Sequence, residues 1–279
     1  MRWSWHAKAR ECRDSQNLRR MSKESTTPRG AFETAVLIPL EEAIHSNSDD
    51  VLNAAAADPS LTLDLALALL KRRDLPSHVV EQLGKNSGLM KSRKLKLAMV
   101  AHPRTPRHLS LPMVRHLFTF DLMKVALTPG APADIRIAAD EALANRLEKI
   151  SMGEKLSLAH RSSERIARAL LLDSETRIVR AALENPRLTE GSIIKALMRR
   201  NASSAFVEAV CRHSKWSPRR EIRVALLRNE KTPMARALEF ARSLPVTLVR
   251  EILQGSRLPA NIKSYVLKDL AQRTGSNAR

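Results

Sequence analysis

Residues 51–73, VLNAAAADPSLTLDLALALLKRR, lie without a gap over residues 178–200, IVRAALENPRLTEGSIIKALMRR. The same offset of 127 residues continues downstream, where RKLKLAMVAHPRTPRHLSLPMVRHL (93–117) sits over REIRVALLRNEKTPMARALEFARSL (220–244). Between 51–146 and 178–273, 25 of 96 aligned positions are identical, against about one in fifteen expected from average composition. Differing positions keep their apolar character, as in Val79 and Phe206, Leu95 and Ile222, Leu97 and Val224, Met99 and Leu226, and Val125 and Ile252. The middle of the chain reads as an internal duplication.

Each half is built from smaller units. Apolar residues recur at helical spacing (Leu65, Leu69 and Leu70; Ile193, Ile194 and Leu197). Thr62 and Thr189 precede such runs as N-caps, and Thr105-Pro106 and Thr232-Pro233 read as an N-cap followed by Pro at the first helical position. Pro132 and Pro259 mark another pair of starts. Helices are expected to begin near 49, 62, 76, 92, 106, 119 and 132, and again 127 residues later. Helices this short cannot bury their apolar faces alone and must stack on neighbours. The expected fold is therefore all-α, a right-handed α-solenoid of short helix pairs in which 51–146 recurs as 178–273. Composition agrees. Aromatic residues make up 3% and glycines number 8, too few for the turn and core chemistry of a β-sandwich or barrel. A hydrophobic fraction of 43% excludes a wholly disordered chain.

One repeat domain is expected over 31–274, with halves 49–147 and 176–274 joined by a helical pair in 148–175, which has no Pro and no Gly-Ser run. FETAVLIPLEEAIHS (31–45) reads as an opening helix, and 275–279 as a frayed tail. Residues 1–30 read as a disordered basic segment, with Met21 as an alternative start. Cys12 and Cys211 are the only cysteines, too few for a disulfide framework or a paired-Cys metal site. No stretch approaches the roughly 18 apolar residues of a membrane span. A cytoplasmic, cofactor-free protein with no membrane contact and no small-molecule substrate is expected.

The segments VRAALENPRLT (179–189), KLAMVAHPRTP (96–106) and IRVALLRNEKTP (222–233) share one phrase shape. It resembles the leucine-rich repeat variant family, within the broader HEAT-like helical repeats, over most of residues 50–273. The resemblance implies stacked α and short 3₁₀ helices. It implies no iron–sulfur cluster, since the cysteine-rich segment of one member type has a single counterpart here, Cys12.

No GxxxxGK[ST] loop, GxGxxG turn or HExxH helix is present, so phosphate cradles and catalytic metal ligands are missing as motifs. His102, His108 and His116 lie close in sequence, yet the second half has Asn229, Ala235 and Ser243 in their places. Catalysis is not expected. A minority alternative is a HEAT-like alkylpurine DNA glycosylase, which would need an aromatic side chain and a carboxylate converging in one groove.

Charge is the more useful guide. The chain carries 48 basic and 29 acidic side chains, a net +19, with 25 basic and 12 acidic in 151–279. A cationic surface attracts polyanions by counterion release. Several positions are basic in both halves, among them Lys85/Arg212, Arg93/Arg220, Lys96/Arg223, Arg104/Lys231, Arg115/Arg242 and Arg136/Lys263. The densest clusters are GKNSGLMKSRKLK (84–96) and RHSKWSPRREIR (212–223). The candidate polyanion-binding residues are thus Lys85, Lys91, Arg93, Lys94, Lys96, Arg212, Lys215, Trp216, Arg219, Arg220 and Arg223, with Trp216 either stacking on a base or anchoring its loop. Arg72-Arg73 and Arg199-Arg200 close helices and are assigned to structure. Two functions fit: a non-catalytic interaction scaffold for an acidic protein partner, or a sequence-tolerant nucleic-acid-binding protein.

Overall fold

The computed structural model describes residues 39–276 and is all-helical among them. In chain order the helices are α1 Leu40–Ala43, α2 Asp49–Ala57, α3 Leu63–Leu69, α4 Ser77–Lys85, α5 Arg93–Ala101, α6 Arg107–His116, α7 Thr119–Leu127 and α8 Ala133–Ala144. A 3₁₀ turn, Leu89–Lys91, lies between α4 and α5. The joining segment holds α9 Met152–Arg161 and α10 Glu164–Leu170, the expected helical pair. Then follow α11 Thr176–Leu183, α12 Glu190–Leu197, α13 Ser204–Arg212, α14 Arg220–Arg228, α15 Met234–Arg242, α16 Val246–Gln254 and α17 Ala260–Ser276. Each of α2 to α8 starts 127 residues before its counterpart in α11 to α17. Residues 1–30, Met21 and Cys12 lie outside the described residues, as does most of the opening helix expected over 31–45, of which Leu40–Ala43 is helical.

Short hydroxyl side chains start many of these helices. Thr62 accepts the Leu65 N–H, Thr189 that of Ser192, Ser163 that of Ile166 and Ser203 that of Phe206. Ser151 and Glu154 form a reciprocal capping box on α9. The Thr-Pro starts differ from expectation. Pro106 and Pro233 themselves occupy the N-cap position, with extended ψ of 142° and 143°. The preceding threonines face backwards: the Thr105 hydroxyl donates to the Met99 carbonyl and Thr232 to the Leu226 carbonyl. These are carbonyls of the last turns of α5 and α14, which also accept the C-cap N–H groups of His102 and Asn229.

Helices pack on their next-but-one neighbours. One series runs α6, α8, α10, α12, α14, α16; beside it lie α9, α11 and α13, while α2 packs on α4, α3 on α5, α5 on α7 and α15 on α17. The buried apolar residues fall into two clusters, Ile44 to Met99 and Val100 to Leu270, with Met113 packed against both.

A recurring polar staple ties successive turns together. Asn185 donates from Nδ2 to the Ala159 carbonyl at 2.7 Å and accepts the Arg187 N–H at 2.8 Å. Asn229 does the same toward Leu197 and Lys231, at 2.7 and 2.9 Å. His102 fills this role in the first half, with Nε2 at 2.7 Å from the Arg72 carbonyl and Nδ1 accepting the Arg104 N–H at 3.2 Å. All three side chains are buried. Each satisfies a carbonyl at the end of the helix two earlier and closes its own turn, so no buried polar atom of the staple is left unpaired.

Candidate functional site

An open groove of about 820 Å³ crosses α9, α11 and α13. Its formation follows from the pattern of α11. Ile178, Val179, Ala181, Ala182 and Leu183 are buried, which turns Arg177, Arg180 and Glu184 outward. Small residues, Ala205 and Ala209 on α13 and Ala181 on α11, together with Leu156 on α9, leave an apolar floor. The rim is charged with both signs: Arg177, Arg180 and Arg212 against Glu184 and Glu208. Arg212 pairs with Glu208 one turn away on α13. His160 and His213 line the groove as well. Nδ1 of His213 accepts the Lys215 N–H, and its buried Nε2 lies 3.1 Å from Glu184 Oε1 without hydrogen-bond geometry.

Helices α10 and α12, in the neighbouring series, carry two further clefts. One, of about 250 Å³, is lined by Arg165, Arg168, Lys195 and Arg199 with Ala144, Ala169, Leu172 and Ala196. The other, of about 470 Å³, shares Arg165, Arg168 and Lys195 and adds Glu164, Thr189, Gly191 and Ser192. Glu164 accepts the hydroxyls of both Ser192 and Thr189, and these bonds, with Arg168 and Lys195 nearby, hold its carboxyl below the usual range. Arg165 reaches Glu141 at 3.3 Å. Among the described residues no carboxylate lies within ion-pair distance of Arg168, Lys195 or Arg199.

The residues singled out from the sequence have varied duties. Trp216 is 1% exposed and donates its indole N–H to the Leu183 carbonyl at 2.8 Å. It is a loop anchor and presents no ring to a base. Lys215 and Arg219 lie over that ring at 4.3 and 5.0 Å. Arg219 also pairs with Glu190, and Arg223 donates to the Ser217 carbonyl. Arg93 pairs with the buried Asp121 and covers Phe118. Lys85, Lys91, Lys94 and Arg220 are exposed, Lys96 is half-buried, and Arg212 alone of the set lines the large groove. Arg72 is structural as expected, donating to the Ile44 and Ser46 carbonyls. Arg199, assigned the same duty, sits in the turn after α12 and also lines the α10–α12 cleft. The groove residues on α9 and the cations of α10 escape a search for positions basic in both halves because the joining segment has no second copy.

Other chemistry is sparse. Among the described residues no three His, Cys, Asp or Glu side chains gather to hold a metal, and His102 is committed to its staple. Burial pushes the Cys211 thiol up to about 12, far from the range of a reactive thiolate. The groove lining has Glu184 and Glu208 but no Phe, Tyr or Trp, so the aromatic side chain that the glycosylase alternative requires is missing there. No helix among the described residues is long and apolar enough to cross a membrane. Comparison with known protein families, with curated proteins and with solved structures gave no match for this chain.

Proposed function

We propose that this chain is a non-catalytic interaction scaffold, a right-handed α-solenoid with an internal duplication and a likeness to leucine-rich repeat variants, that receives an acidic helical segment of a partner protein. One observation carries the reading: the groove across α9, α11 and α13 joins an apolar floor to a rim bearing three arginines. Helix-in-groove recognition needs both parts. Apolar anchors at helical spacing supply affinity, and charges at the rim set orientation and partner choice. The partner's acidic residues would face Arg177 and Arg180, while Glu184 and Glu208 repel a helix docked in the opposite sense. The stacking of most helices on a next-but-one neighbour supports the solenoid reading.

The test is anisotropy of a panel of dye-labelled acidic amphipathic helical peptides titrated with the full chain. The reading expects at least one peptide to bind, with Ala205→Arg, which fills the groove, weakening it at least tenfold and Arg180→Glu doing the same through charge. Binding indifferent to both variants, or none across the panel, contradicts it.

A further inference from the structure

We propose that the two clefts on α10 and α12 form a second binding site, for the phosphate backbone of duplex nucleic acid read without regard to sequence. The site is distinct from the groove of α9, α11 and α13, and it is not the loop pair that the sequence pointed to. Four cations line it: Arg165 and Arg168 one turn apart on α10, Lys195 on α12, and Arg199 in the turn that follows α12. The two helices pack on each other, so the four charges share one surface.

Three of the four hold no carboxylate directly, although Arg168 and Lys195 lie near enough to Glu164 to lower its carboxyl. Arg168, Lys195 and Arg199 make no ion pair among the described residues, whereas Arg93, Arg212 and Arg219 in the loop clusters all do. The Arg165–Glu141 pair is solvent-exposed, and such pairs exchange partners at little cost. The one carboxylate inside the site, Glu164, is occupied by two hydroxyl donors from the start of α12 and serves to tie α12 to α10. Guanidinium groups present a planar fork that matches phosphate oxygens.

The lining also selects among polyanions. Its apolar part is Ala144, Ala169, Leu172 and Ala196, in a cleft of about 250 Å³ against about 820 Å³ for the groove of α9, α11 and α13, which leaves little room for the apolar anchors of a peptide helix. That favours a phosphate backbone over an acidic protein. The lining has no aromatic ring, so it offers no platform for unstacked bases. That favours duplex over single strand.

The experiment titrates the full chain into labelled duplexes of two unrelated sequences, a labelled single strand and labelled poly-glutamate, across a salt series. Lys195→Ala with Arg199→Ala changes two exposed side chains that make no ion pair among the described residues, and unchanged circular dichroism verifies its fold. The expected result is equal binding of the two duplexes, at least a tenfold loss in the double variant, and a log–log salt slope shallower by about 2, since each lost phosphate contact removes about 0.9. Lys91→Ala with Lys94→Ala leaves the slope nearly unchanged. An unaltered duplex affinity and slope in Lys195→Ala/Arg199→Ala overturns the proposal. So does poly-glutamate binding that is lost in this variant while duplex does not bind, which would make the face a protein contact.

Discussion

The loop after α4 and the loop after α13 occupy equivalent places, 127 residues apart, yet they are built on different principles. In the second half Trp216 is sunk into the core, bonded to Leu183 and roofed by Lys215 and Arg219. In the first half the same place holds the half-buried Leu89 in a 3₁₀ turn. The following arginines diverge as well. Arg93 answers the buried Asp121, whereas Arg220 is exposed and the counterpart of Asp121 is Leu248. Matching basic residues in a duplicated pattern therefore do not mark a shared binding role. Here the match marks a shared place in the backbone, and the duty of each cation is set by what faces it.

The comparison breaks or sharpens by mutation. The largest effect is expected at Trp216→Ala, which empties a ring-sized volume and strands the Leu183 carbonyl, at about 3–5 kcal/mol; Leu89→Ala should cost about 1 kcal/mol. Equal costs, read from denaturant unfolding, would erase the distinction between the two loops. Next come the staples. Asn229→Ala leaves buried partners unpaired and should cost about 1–3 kcal/mol, while His102→Asn, which installs the second half's own solution, should cost less than His102→Ala. If His102→Asn proves as harmful as His102→Ala, the two staples are not equivalent.

A smaller effect concerns the arginines. Arg93→Ala, which abandons a buried carboxylate, should destabilise more than Arg220→Ala, and adding Asp121→Leu should recover part of the loss. Stability that falls further in the double variant would mean Asp121 has another duty. The smallest effect is chemical. In a Cys12→Ser chain, burial and a thiol pushed up to about 12 should keep Cys211 silent to a thiol reagent near pH 8 until the protein unfolds. Rapid reaction in the folded state would show that α13 opens.

Much of the fold was legible because helix starts are local events. Hydroxyl caps and Pro turns occur within four residues of what they control, so the expected starts near 49, 62, 76, 92, 106, 119 and 132 fall within a residue of the N-caps of α2 to α8. The inversion of Thr105 and Thr232 was not legible, since their bonds reach back across a turn to Met99 and Leu226. The candidate sites were harder still. Arg165, Arg168, Lys195 and Arg199 converge only because α10 packs on α12, and Leu156 and His160 meet Arg180 only because α9 packs on α11. The available signal was spacing: cations at i, i+3 on α10 and at i, i+4 across the end of α12. Charge counts alone favoured the loops, where Arg93, Arg219 and Arg212 are drawn into ion pairs with Asp121, Glu190 and Glu208 while Lys85, Lys91, Lys94 and Arg220 are exposed.

Two faces meeting at the joining pair, one in each helix series, are proposed to take different ligands. The most direct measurement adds unlabelled duplex to the full chain already saturated with a labelled acidic helical peptide, at low salt, while a second label follows the duplex. Both are expected to remain bound, with Ala205→Arg releasing only the peptide and Lys195→Ala/Arg199→Ala releasing only the duplex. Displacement of the peptide by duplex, or loss of both ligands in either variant, would contradict it.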